Sequence, residues 1–88
     1  MFEIKVKKWF YEKTNDTAKS YNTFIDYERD ENSMMRVVDD VVTLYAREIL
    51  SETEKAVKVC LESGAVVGSC KGWTTWIPKS VVTICEMA

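Results

Sequence analysis

The stretch Trp73-Thr74-Thr75-Trp76-Ile77-Pro78-Lys79-Ser80-Val81-Val82-Thr83-Ile84 decides how this chain folds. Trp73, Thr75 and Ile77 alternate with Thr74 and Trp76, the two-residue period of a strand with one face turned to a core. Pro78 has no N–H to give a central ladder, so the strand must break or lie at an edge there. Val81 to Cys85 resumes as a closing strand. The remainder reads as a small sheet and one helix built around this pair.

Working back from that tail, Glu62-Ser63-Gly64 is a stop, and Ala65 to Lys71 is a flexible connection or a weak strand between glycines. Residues 45–61 fit a continued helix or a hairpin. The hairpin is preferred: Ala46 to Leu50 as one strand, Glu52-Thr53-Glu54 as the turn, and Lys55 to Leu61 as the return, where Val57, Val59 and Leu61 alternate with Lys58 and Cys60. A single helix from 33 to 62 would far exceed the usual ten to fourteen residues or so. A helix is expected at about 33–43. Asp30-Glu31-Asn32-Ser33 offers caps for its free N–H groups, and Met34, Val38, Val41, Val42 and Tyr45 make an apolar stripe. Arg36, Asp39, Asp40 and Thr43 fall on the opposite face.

The N-terminal part alternates from Phe2 to Lys13. Phe2, Ile4, Val6 and Phe10 point one way, and Lys5, Lys7, Trp9, Tyr11 and Lys13 the other, so the run is expected to be a strand. Thr14-Asn15-Asp16-Thr17 has turn chemistry. Tyr21 to Glu28 is rich in aromatic and β-branched residues, which predicts a second strand in a hairpin with the first.

The ending Trp76-Ile77-Pro78-Lys79-Ser80-Val81-Val82 resembles the C-terminal signature of SH3-like barrels, in which a tryptophan-hydrophobe-proline step leads through one 3-10 turn to a short closing strand. With the turn before Val57, the Trp-Ile-Pro-Lys-Ser ending also looks like short uncharacterised proteins of phages and mobile elements. The resemblance implies a curled barrel. It does not carry over the proline-peptide site: Val81 stands where that family has a tyrosine, Ser80 where an asparagine is usual, and the early acidic-aromatic loop motif is missing. The expected fold is α+β in a single domain, residues 1–88: a curled antiparallel sheet or SH3-like barrel of four to six strands with one packed helix.

Composition narrows the function. Hydrophobic residues make up 47% of the 88 residues, too many for a disordered chain. Twelve Lys and Arg against 14 Asp and Glu give a net charge of −2, which excludes polyanion binding by bulk charge. No apolar run approaches a membrane span, and the N-terminus does not read as a signal peptide. Histidine is absent. Cys60, Cys70 and Cys85 fit no zinc or redox spacing and are expected to be reduced, in or near the core, in a cytoplasmic protein. A cysteine nucleophile would have no histidine to activate it, so no enzyme, cofactor or metal site is expected.

Two binding faces are expected instead. Asp26, Glu28, Asp30, Glu31, Asp39 and Asp40 outnumber Arg29 and Arg36 in the middle of the chain, while residues 1–13 carry four lysines against two glutamates. The first reading is therefore a non-enzymatic protein docking on a partner protein through Glu31, Arg36, Asp39, Asp40 and Trp76, with a role as an accessory or inhibitory factor of a phage or mobile element implied by the resemblance alone. An exposed tryptophan is a common interface anchor. The alternative is a single-stranded nucleic-acid module in which Lys5, Lys7 and Lys13 neutralise phosphates and Trp9 and Tyr11 stack on bases. An open strand edge also leaves room for a homodimer.

Overall fold

A computed structural model describes residues 1–65 and 72–86. Strand β1 spans Phe2–Lys7, with Ile4 and Val6 fully buried and Lys5 and Lys7 exposed. The expected alternation stops there. Residues 8–13 are not strand, and Thr14 to Thr17 is not a turn: all belong to helix α1, Lys8–Lys19. Tyr11, Asn15 and Ala18 are buried at helical spacing, with Phe10 and Thr14 half-buried beside them. The stripe is partly polar, so it does not announce itself by hydrophobicity.

Asn15 and Tyr11 have a specific task. The Asn15 Oδ1 accepts a hydrogen bond from the Ile25 N–H at 2.9 Å, and the Tyr11 hydroxyl donates to the Ile25 carbonyl at 3.1 Å. Ile25 ends strand β2, Thr23–Ile25, which follows a turn containing Asn22 in the left-handed region at φ 58°. The expected hairpin of this segment with the first strand does not form. β2 pairs instead with a distant strand introduced below, and the helix side chains bind its other edge.

The helix expected at 33–43 is replaced by a tight hairpin: β3, Val37–Val38, then Asp39-Asp40, then β4, Val41–Glu52. The valines follow their β preference, because β1 supplies a partner on which Val42 and Leu44 can bury. Register sets Phe2 opposite Ala46, Ile4 opposite Leu44 and Val6 opposite Val42. Burying each such aliphatic side chain stabilises the fold by about 1.5–3 kcal/mol.

The hairpin read at 46–61 is present, and β4 extends it at its start. β5, Ala56–Leu61, returns along β4, with two register irregularities between Ala46 and Ser51. Thr53 closes the turn through its N–H to the Ala56 carbonyl at 2.8 Å and its Oγ1, which accepts from the Ala56 N–H at 3.1 Å. β6, Ser63–Ala65, pairs with β2 so that Gly64 faces Phe24. A Cβ on Gly64 would sit 2.5 Å from the Phe24 ring, so any side chain there would push that ring aside. The rest of the expected 65–71 connection lies outside the described residues, as does Cys70.

β7, Trp73–Pro78, ends at the proline; one 3-10 turn follows at Lys79–Val81, and β8 is Val82–Glu86. The main sheet runs β7-β5-β4-β1-β8, with β3 added beside β4. All its pairings are antiparallel. The fold is α+β: a mostly antiparallel six-stranded sheet, a two-stranded one, and one helix. Among the described residues no ladder joins β7 to β8, so the main sheet is open.

Burial pushes the Tyr11 hydroxyl up to about 12, with the Tyr27 ring and Asp26 adding and Arg29 opposing. Its neutral form is therefore favoured by folding. That contribution is complete below pH 10 and fades as pH rises through about 12. Urea titrations should show Tyr11→Phe less stable than wild type by about 1–3 kcal/mol near neutrality, with the gap narrowing across that alkaline window. Asn15→Ala should cost a similar amount without the alkaline change, since it orphans the buried Ile25 N–H.

Candidate functional site

The basic-aromatic row does not exist as a row. Lys5 and Lys7 lie on β1, while Trp9, Tyr11 and Lys13 lie on α1, where successive residues turn by about 100° instead of alternating. Trp9 is 53% exposed, but Tyr11 is buried with its hydroxyl committed to Ile25, so it offers no ring for base stacking. The acidic residues do not share a helix face either, because no helix runs through them. Glu31 is at an exposed turn. There the Asp30 carboxylate accepts from the N–H groups of Asn32 at 2.8 Å and Met34 at 3.1 Å, leaving Asp30 a structural part of the turn.

The structure brings Arg36 and Asp39 together with Lys5 in an open groove of about 570 Å³. Lys5 and Glu3 come from β1, and Val41 and Thr43 from β4. The opposite wall is the 26–36 segment, folded back on β4: the Glu28 N–H donates to the Thr43 carbonyl at 2.8 Å and the Arg36 N–H to the Glu28 carbonyl at 3.0 Å. Glu3, Lys5, Glu28, Arg36 and Asp39 all line the groove, around Val38 and Val41. None of these five makes an ion pair or side-chain hydrogen bond among the described residues. Elsewhere exposed charges do pair: Arg29 with Asp26 at 3.1 Å, Arg47 with Glu62 at 2.6 Å and Lys79 with Glu52 at 2.6 Å. The acids reach along the sheet: the Tyr45 hydroxyl is raised by burial first, then by Glu28, Glu3 and Asp26.

Asp40 sits beside this groove in the turn. Both Asp39 and Asp40 have left-handed backbones, φ 51° and 63°. A two-residue hairpin turn with both φ values positive favours Asn-Gly or Asp-Gly. Here a second aspartate occupies the place where glycine fits best, and neither carboxylate makes a hydrogen bond among the described residues.

Trp76, 45% exposed on β7, belongs to another surface. It shares a cleft of about 200 Å³ with Trp73, Phe10, Lys13, Thr14 and Thr17. Trp73 is half-buried against the core, and the Tyr21 ring lies 5.7 Å from its ring. Sequence reasoning missed Glu3 in the first surface and Phe10 in the second, and it counted Glu28 in the acidic set without placing it opposite Lys5. Glu3 was within reach, being two residues from Lys5 on one strand face. The groove position of Glu28 was not, since a long-range backbone bond to Thr43 sets it.

Cys60 is half-buried and Cys85 is exposed, both as free thiols. The described residues hold no cluster of three or more metal-ligating side chains. None of them forms a helix long and apolar enough to cross a membrane. Comparison with protein-family models, curated proteins and solved structures returns no match.

Replacing Asp40 by glycine should stabilise the fold by about 0.5–1 kcal/mol, the relief of a left-handed backbone less the added freedom of the unfolded chain. Urea midpoints of wild type and Asp40→Gly check this.

Proposed function

We propose that this chain is a small non-enzymatic docking domain of SH3-like strand path, acting in the cytoplasm, which holds a partner protein in the groove between β1, β4 and the 26–36 segment. The observation that carries the reading is the convergence of five charged side chains of both signs on one groove around Val38 and Val41, none of them paired among the described residues, whereas Arg29, Arg47 and Lys79 each have a carboxylate partner. Mixed, unpaired charges select a partner segment bearing both signs in complementary order, and they reject one with the order reversed. The SH3-like reading is supported by the β7-β5-β4-β1-β8 order and by the single 3-10 turn after Pro78. The likeness of the tail to short phage and mobile-element proteins makes an accessory or inhibitory factor the corresponding biological role.

Affinity capture with the tagged full chain in cells of its source, read by cross-linking and mass spectrometry, tests the proposal. A defined partner should cross-link to residues of the groove. Its recovery should fall at least about tenfold with Asp39→Lys and with Arg36→Glu, and remain with Glu54→Gln in the exposed β4–β5 turn. Unchanged recovery in both groove variants rejects the groove. Titration with single-stranded oligonucleotides should leave tryptophan fluorescence flat at low salt.

A further inference from the structure

We infer that β7 is a second docking site, separate from the charged groove, and that its occupant is an extended segment of a partner protein, apolar with an acidic residue, which pairs with the strand as an added antiparallel or parallel neighbour. β7 is one end of the main sheet. It pairs with β5 through six consecutive residues, Ala56 opposite Pro78 through Leu61 opposite Trp73, without a register shift. Its second edge meets no strand among the described residues. A free edge of regular backbone is a template for another strand, and proteins usually guard it with lysine, bulges or proline. Trp73-Thr74-Thr75-Trp76-Ile77 carries no charge and no bulge, and Pro78 blocks only the final position.

The cleft beside that edge shows what a visitor would touch. Its far wall is α1, through Phe10, Lys13, Thr14 and Thr17, and residues Trp73 to Trp76 line it on the β7 side. The cleft has room for side chains of an added strand. Its lining is aromatic and hydroxylic with one cation, Lys13, and no acid. The Lys13 ammonium has no ion-pair partner among the described residues. Strand addition therefore supplies main-chain hydrogen bonds, the indoles supply apolar contact, and Lys13 selects for an acidic residue. β8, the other end of the sheet, carries a charge of its own at its last position, Glu86.

The test uses the full chain and a random linear peptide library, with the enriched peptides synthesised for fluorescence titration. Enriched peptides should alternate apolar residues and carry an acid. Trp76→Ala should weaken them about thirtyfold. Lys13→Glu should weaken them at least about tenfold, with recovery when the peptide's acid is changed to lysine. N-methylation of alternate peptide amides should abolish binding in one phase and spare it in the other, because only every second amide faces the edge. Both residues are surface-exposed, and unchanged far-ultraviolet circular dichroism confirms that the variants are folded. Tolerance of N-methylation in both phases, indifference to Trp76→Ala, or failure to enrich any peptide overturns the assignment. So does sedimentation showing a dimer that Trp76→Ala dissociates, which would put a second copy on this edge.

Discussion

Ile25 is the point on which the two halves of this fold are hung. A buried amide or carbonyl without a partner is costly, so nearly every one is matched. β2 has only three residues and one neighbouring strand, β6. Its remaining edge faces α1, and helical backbone has no free groups to offer mid-segment. Tyr11 and Asn15 supply a donor and an acceptor from side chains one helical turn apart, and together they satisfy both main-chain groups of Ile25. The consequence extends to the charged groove. Asp26, the next residue, donates its N–H to the Glu62 carbonyl at 3.0 Å, and Glu28 then reaches Thr43. The wall of the charged groove thus starts from a strand end that the helix fixes.

The same device explains where the sequence was legible. The tail could be read because Pro78 interrupts a clean alternation, and the 46–61 hairpin because Val57, Val59 and Leu61 alternate with polar residues. α1 was hidden because its buried stripe contains Asn15 and Thr14, which count as polar in any periodicity. The burial of Asn15 is compensated by a hydrogen bond to a segment ten residues away, invisible to a local window. The β3–β4 hairpin was hidden for the opposite reason. Met34, Val38, Val41 and Val42 satisfy helical spacing by coincidence, and an Asp-Asp turn lacks the glycine that usually marks such a hairpin. β-branching was the better signal, and β1 decided the matter by offering Val6 and Ile4 as partners.

These two misreadings together rearranged the candidate sites. A strand through residue 13 would have collected Lys5, Lys7, Trp9, Tyr11 and Lys13 on one face. The helix start at Lys8 instead sends Lys5 to a groove among acids and Lys13 to a cleft beside Trp76. A helix at 33–43 would have given a uniformly solvated acidic face. The hairpin instead turns Asp39 toward the groove that Arg36 and Lys5 also line. The net charge of the chain predicts none of this, since the local character of each surface depends on which opposite charges the backbone gathers there without letting them pair.

The Asp39-Asp40 turn carries that point furthest. Left-handed backbone in two successive non-glycine residues is unfavourable, and asparagine or glycine would hold the same turn at lower cost. The aspartate side chains do not recover the difference inside the molecule, because neither carboxylate finds a hydrogen bond or a cation among the described residues. The Asp40 carbonyl does work for the fold, accepting the Lys8 N–H at 2.8 Å at the start of α1, but any residue type supplies a carbonyl. The backbone therefore explains why there is a turn at this place and leaves its two negative charges unexplained. On the proposed function, the strain has a use: the two outward carboxylates are held where a docked partner meets them.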